Sequence, residues 1–215
     1  MKDNQPTYDA RDAFARTLGE VSPDVLAPVI NPEFMDGPPW PDLRQAWRVI
    51  RRPGSVIVIS DGLSDPFDEE EDLNTGFGLE VIAETEDPLP DQIQDSWLFD
   101  LVYAVSQQCA DHGGVAELVE RLGTVSLELE ATDALSPVAT DDDQVGVLLG
   151  VTADSIPRHF EVPAGNVLVL TATLLFPSEL DYLIEHGKAG RAELAKRLAK
   201  HNYHHKSSLR RKPLV

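Results

Sequence analysis

The sequence predicts an α/β protein: a mixed, mainly antiparallel β-sheet with helices packed against it. Three stretches carry that expectation. Val56-Ile57-Val58-Ile59 is apolar at four successive positions, as is most of the longer run 167–175, and such runs fit strands covered on both faces. Thr124-Val125-Ser126-Leu127-Glu128-Leu129-Glu130 instead alternates with period two, the pattern of a strand with one wet face. Ile93, Trp97, Leu98, Leu101, Val102 and Val105 recur at helical intervals and stop at Gly113-Gly114.

Taken in order, residues 1–9 are polar, and Ala10, Phe14 and Leu18 then mark a short amphipathic helix ended by Gly19 and Pro23. Prolines 28, 32, 38, 39 and 41 forbid regular structure, while Phe34, Met35 and Trp40 are expected to anchor this strap onto the core. Residues 43–52 form a helical turn or a strand, with Arg44, Arg48, Arg51 and Arg52 expected to pair with the protein's own carboxylates, a recognition patch being the alternative. After the strand at 56–59, Asp61-Gly62 makes a turn in which Gly62 is expected at positive φ. Asp65, Asp68, Glu69, Glu70, Glu71 and Asp72 are too charged to pack, so this loop is assigned to solvent.

A second strand enters through Gly76-Phe77-Gly78 and runs to Glu84; its imperfect alternation predicts shallower burial, and Gly78 is expected to admit another backbone. Asp91 is a cap for the Trp97 helix, and 115–122 extends or repeats that helix. Residues 132–144, with Asp141, Asp142 and Asp143, form a second acidic loop; 145–151 is a buried strand and 154–166 a connection. Pro177 opens a helix, a basic one follows at 189–201, and the cationic tail is expected in solvent, with folding back onto the acidic body as the alternative. The domain reading is 1–27 as an N-terminal segment with a short helix, 28–187 as the main domain, and 188–215 as a basic helix and tail.

Ile59-Ser60-Asp61-Gly62-Leu63-Ser64-Asp65, followed by Gly76-Phe77-Gly78-Leu79-Glu80-Val81 and a Trp-bearing helix, resembles the Suppressor of fused family in order and spacing as well as letters. A weaker match runs through 145–151 and 167–170, so the likeness covers about residues 30–185. It implies a chain similar to that family's amino-terminal lobe, of the single-domain bacterial type. It also implies non-enzymatic capture of a partner peptide, which in animal members is added partly as a strand between two lobes. Some compact members are thought to be immunity proteins that neutralise toxins. The family's peptide-contacting residues do not carry over, because Asp61, Gly62, Leu63, Ser64, Gly76, Phe77, Gly78, Glu80 and Trp97 read as scaffold.

The formal charge of −19 bears most directly on partners. From 53 to 187, Arg121 and Arg158 are the sole Lys or Arg, so the body repels phosphate backbones and attracts a basic protein, with solubility alone as the other reading of the charge. The expected binding residues are accordingly Asp65, Asp68, Glu69, Glu70, Glu71, Asp72, Asp141, Asp142 and Asp143. No apolar run reaches the ~20 residues of a membrane span and the amino terminus has no signal-peptide core, which predicts a cytoplasmic protein without membrane partners. Cys109, the single cysteine, fits a buried thiol.

Phosphate loops, G-x-S-x-G, H-E-x-x-H and dinucleotide fingerprints are all missing, so no cofactor or metal is predicted. The acidic loop 65–72 does not follow the EF-hand order, and His201-x-x-His204-His205 has no partner ligands beside it in sequence. Ser60, Ser64 and Asp61 with His112 or His159 could be imagined as a nucleophile site, but nothing in the sequence brings them together. Glu80 faces solvent or meets an arginine. The sequence reading is therefore a non-enzymatic protein-binding domain, an immunity protein or adaptor that sequesters a basic partner. A hydrolase or metal-dependent enzyme of unfamiliar fold, and a structural or oligomerising protein, are the alternatives.

Overall fold

The computed structural model describes residues 4–67 and 72–215. Helix α1 (Gln5–Leu18) carries Pro6 in its first turn, where a helical N–H has no acceptor to lose. Strand β1 (Glu20–Leu26) follows at once, although Pro23 had marked this stretch as a stop. An edge strand tolerates proline, and the register of β1 slips between Val21 and Val25. Within the stretch 43–52 the regular element is a strand, β2 (Trp47–Arg52), which pairs antiparallel to β3 (Ser55–Ser60).

Strand β4 (Leu79–Thr85) starts two residues later than expected and is buried at every position, which corrects its reading as a shallow strand. Its alternation is genuine, but both faces are covered. Leu79, Val81 and Ala83 join the core under helix α2 (Trp97–His112), while Ile82 joins Phe14, Ile57 and Ile59 under α1. Helix α2 begins at Trp97 instead of Asp91 because the Ser96 side chain accepts the Phe99 N–H, leaving Ile93 in a separate 3₁₀ turn (Ile93–Asp95). A short helix α3 (Val115–Leu122) and strand β5 (Val125–Glu130) follow as predicted, and β5 pairs antiparallel with β6 (Gln144–Leu149).

The predicted connection at 154–166 contains a further strand, β7 (His159–Val162), too short for its pattern to show. It pairs with the first half of β8 (Gly165–Leu174), whose second half pairs with β6. The strand order is β1-β2-β3-β4-β8-β6-β5, antiparallel throughout except for the parallel β4 and β8. Helix α4 (Pro177–Lys200) bends at Gly187, whose non-helical backbone separates the two helices expected from sequence.

The tail is folded back onto the body at His205, Ser207 and Arg211, which are buried. The Ser207 hydroxyl donates to the Ala172 carbonyl and accepts the Leu174 N–H, and the Ser207 N–H donates to the Glu84 carbonyl. Arg211 forms a buried 2.5 Å pair with Glu179 at the start of α4. Lys206 pairs with Glu86, and Ser208 bonds Asp87. Lys206 and Arg211 of the tail thus find carboxylates of the body, as the alternative reading held.

Trp97 is 7% exposed and packs with Leu101, Val105 and the sheet residues of the α2 face. Trp97→Ala is expected to lower the free energy of unfolding by about 3–5 kcal/mol in urea titration. Truncation after Lys200 removes Ser207 and Arg211 together and is expected to lower the melting temperature by more than Trp97→Ala does, because it also leaves Glu179 buried without its counter-charge.

Candidate functional site

The motif at 59–65 builds a buried ionic cluster. Asp61, at the end of β3, is 1% exposed and is met by Arg11 from α1, by Arg44, and by Arg48 from β2 at 2.7 Å. Arg11 is 2% exposed; besides Asp61 it reaches Asp65 at 2.7 Å and Glu80 at 3.3 Å. Glu80 further accepts the N–H groups of Gly62 at 3.2 Å and Ser64 at 3.0 Å, and the hydroxyls of Ser60 and Ser64. The Ser60 hydroxyl oxygen in turn accepts the Val81 N–H at 2.8 Å. Every residue of Ser60-Asp61-Gly62-Leu63-Ser64-Asp65 is buried.

Burial raises the Asp61 carboxyl, but the guanidiniums of Arg11, Arg44 and Arg48 outweigh it and hold its pKa below the usual value. At Asp65 and Glu80 burial prevails and pushes both carboxyls up, with Arg11 offsetting it in part. Asp65 therefore stands corrected. Its charge suggested solvent, but Arg11, 54 positions earlier in α1, removes the need for water, a pairing no local pattern announces.

Four residues along β4, on the same face as Glu80, Glu84 makes a second cluster. It accepts from Ser55 at 2.5 Å, Arg52 at 3.2 Å and the ring of His205 at 2.8 Å. Burial raises this carboxyl too, but the hydrogen bonds from His205 and Ser55 and the charges of His205 and Arg52 bring it down to about 2. The Cys109 thiol is pushed up to about 12 by burial.

The two motif glycines exchange the roles expected of them. Gly62 is not at positive φ; instead a Cβ there would lie 2.5 Å from the Arg44 carbonyl. Gly78 has φ 69° with no atom within 3.4 Å of a would-be Cβ.

Of the expected binding residues, Asp68, Glu69, Glu70 and Glu71 lie outside the described residues. Asp72 is exposed. Asp141, Asp142 and Asp143 are exposed in the turn entering β6, just beyond Glu130, which pairs with Gln144. They adjoin a groove of about 440 Å³ between the outer face of α2 and edge strand β5, lined by Tyr103, Gln107, Asp111, Glu128, Leu129 and Glu130 among others. Asp111, Glu128 and Glu130 are exposed, so the groove has an acidic rim. Sequence reasoning singled out neither the groove nor its carboxylates, although the wet face of the 124–130 alternation contained two of them.

Ser60, Ser64 and Asp61 are engaged with Glu80 and arginines, whereas His159 pairs with Glu120 at 2.7 Å. Among the described residues no group of three or more His, Cys, Asp or Glu could hold a metal ion, and no helix is long and apolar enough to cross a membrane.

Arg11→Met strips Asp65 and Glu80 of their shared counter-charge and is expected to destabilise the fold by about 3–5 kcal/mol, whereas Arg16→Met, at a 71% exposed side chain, is expected to stay within about 0.5 kcal/mol. Because the Glu84 carboxyl is depressed from 4.5 to about 2 by folding, its stabilisation is complete above pH 4.5 and drains away as pH falls toward 2. Glu84→Gln is therefore expected to be less stable than the parent at neutral pH and to lose that difference across this window; parallel pH curves would contradict the assignment.

No protein-family model matches the sequence, and no curated protein matches it. Solved structures do. A crystal structure of Drosophila Suppressor of Fused is similar with a TM-score of 0.54 and 17% identity, over 79% of this chain and 42% of that one. The Sufu-Fu complex crystal structure is similar with a TM-score of 0.60 and 16% identity, over 98% of this chain and 91% of that one. The chain spans less than half of the Drosophila protein's chain. Among the described residues, eight strands and four α-helices are arranged in the Suppressor of fused fold.

Proposed function

We propose that this chain is a non-enzymatic protein-binding domain that sequesters a basic protein, as an adaptor or as an immunity protein against a basic toxin. The observation that carries the reading is the acidic groove between α2 and β5. Among the described residues β5 ends the sheet, with β6 as its one strand neighbour, so its outer edge offers main-chain groups to an extended segment. Glu128 and Glu130 flank that edge, Asp111 faces it from α2, and Asp141 to Asp143 stand at its far end. A lysine- or arginine-rich segment fits this charge, and a nuclease toxin is basic because it must hold its own substrate. A protein of similar fold is found in a complex, that of Sufu with Fu, which agrees with a protein partner.

The buried clusters support a non-enzymatic role in a second way. Asp61, Asp65, Glu80 and Glu84 are bound to the protein's own arginines, serines and histidine and have their hydrogen-bonding capacity directed inward. Their chemistry is that of a frame.

The test is to retrieve the partner on immobilised protein from the source cell and follow its binding kinetics. Glu128→Gln with Glu130→Gln, combined with Asp141→Asn, Asp142→Asn and Asp143→Asn, is expected to slow association about 10-fold while dissociation changes less than about 2-fold, and added salt is expected to act in the same direction. Association indifferent to both would sink the charge-steered reading.

A further inference from the structure

The segment between β1 and β2 is fixed in place, yet it turns its large apolar side chains outward. Trp40 is buried against Trp47 with ring centroids 5.3 Å apart. The Asn31 side chain accepts the Glu33 N–H at 3.0 Å and donates to the Leu43 carbonyl at 2.7 Å, closing the loop on itself. Gly37 N–H donates to the Pro32 carbonyl at 2.8 Å, Gln45 holds the Pro38 carbonyl at 3.1 Å, and Tyr8 donates to Asp42 at 3.1 Å. Against this frame Val29, Ile30, Phe34, Met35 and Leu43 are all more than half exposed, Phe34 at 72% and Met35 at 69%. The expectation that Phe34 and Met35 anchor the strap is thus reversed: Trp40 anchors it and they project.

Scattered exposed hydrophobics are ordinary, but these are not scattered. Nine large hydrophobic residues are exposed among the described residues, and five of them fall in this one loop. A loop held by its own hydrogen bonds and by a buried tryptophan gains nothing for its fold from the outward side chains, which marks them as an interaction surface. The charge around them has one sign. From 21 to 43 the charged residues are Asp24, Glu33, Asp36 and Asp42, with no Lys, Arg or His. Arg44, next in the chain, is turned to Asp61 and the Tyr8 ring.

We propose that the 29–43 loop docks a basic amphipathic segment of the protein partner, its apolar side chains packing on Phe34 and Met35 and its cations on the surrounding carboxylates. This rests on the protein-binding reading and extends it, since Pro38 of the loop also lines the acidic groove and makes the two surfaces continuous. Self-association through the loop would bring two chains of formal charge −19 together, and an anionic lipid surface would be repelled in the same way.

The probe is a randomised 16-residue peptide library displayed on phage and panned over the wild-type protein. Lys or Arg combined with Leu, Phe or Trp is expected among the enriched peptides. The best one, synthesised and followed by fluorescence anisotropy, is expected to bind Phe34→Ser/Met35→Ser at least about 10-fold more weakly, as loss of an apolar anchor should produce. That variant should melt with the wild type, because both side chains are exposed. No enrichment, enrichment of neutral or acidic peptides, or equal affinity for the loop variant overturns the proposal. So does a wild-type dimer in sedimentation that becomes monomeric in the variant, which would make a second copy the occupant. Glu128→Gln/Glu130→Gln separates the two readings: a peptide sensitive to that variant and not to the loop variant overturns the loop and leaves the groove standing, while the opposite pattern supports the loop and removes the groove.

Discussion

Arg11 in the middle of three buried carboxylates is the contact on which the rest of the molecule depends. It comes from the first helix, while Asp61, Asp65 and Glu80 come from the end of β3, the following turn and β4. Removing four charged groups from water is unfavourable unless each finds its partner. Asp61 adds Arg44 and Arg48, which ties the stretch before β2, and β2 itself, to the same point. Phe14, one turn from Arg11, stacks on Phe160 at 4.5 Å and sets the helix against β7. Position of α1, closure of the motif turn and the register of β3 on β4 are thereby coupled.

The sheet consequently has two unlike faces. Toward α2 it is mainly apolar, with Trp47, Val49, Val58, Val81, Ala83 and Leu170 packed in one core. Toward α1 a shorter apolar patch of Ile50, Ile57, Ile59 and Ile82 lies between two polar clusters, centred on Glu80 and Glu84. The first cluster holds the amino-terminal helix and the second, through His205, holds the tail. Both ends of the chain are fastened by carboxylates of the same strand.

This internal use of charge shapes the surface. Arg11, Arg48, Arg52 and Arg211 are committed to carboxylates inside or at the edge of the fold, and Lys206 is paired with Glu86. Among the exposed carboxylates, Asp111, Glu128, Glu130 and Asp141 to Asp143 gather around edge strand β5. In the reading proposed above, a groove of one sign next to an open strand edge and a projecting apolar loop would combine attraction at long range with dry contact at short range, which is how protein interfaces divide the work of encounter and residence.

The amino-acid sequence by itself determined the fold class, most of the strands and helices, and the likeness to Suppressor of fused. Those properties follow from period and turn chemistry, which act over a few residues: the alternation of 124–130, the apolar runs at 56–59 and 167–175, and the glycine stops at 113 and 123. Tertiary structure decided the rest. Asp65 looked wet because its partner is 54 positions away in α1, and β4 looked shallow because Glu80 and Glu84 resemble solvent-facing residues until Arg11 and His205 arrive. The tail looked free for the same reason. Phe34 and Met35 looked like anchors because an apolar side chain carries no label for which side of a loop it occupies; that is settled by Trp40 reaching Trp47 first. Burial of charge and exposure of hydrophobics are both decided by partners distant in sequence, and a local pattern contains no record of them.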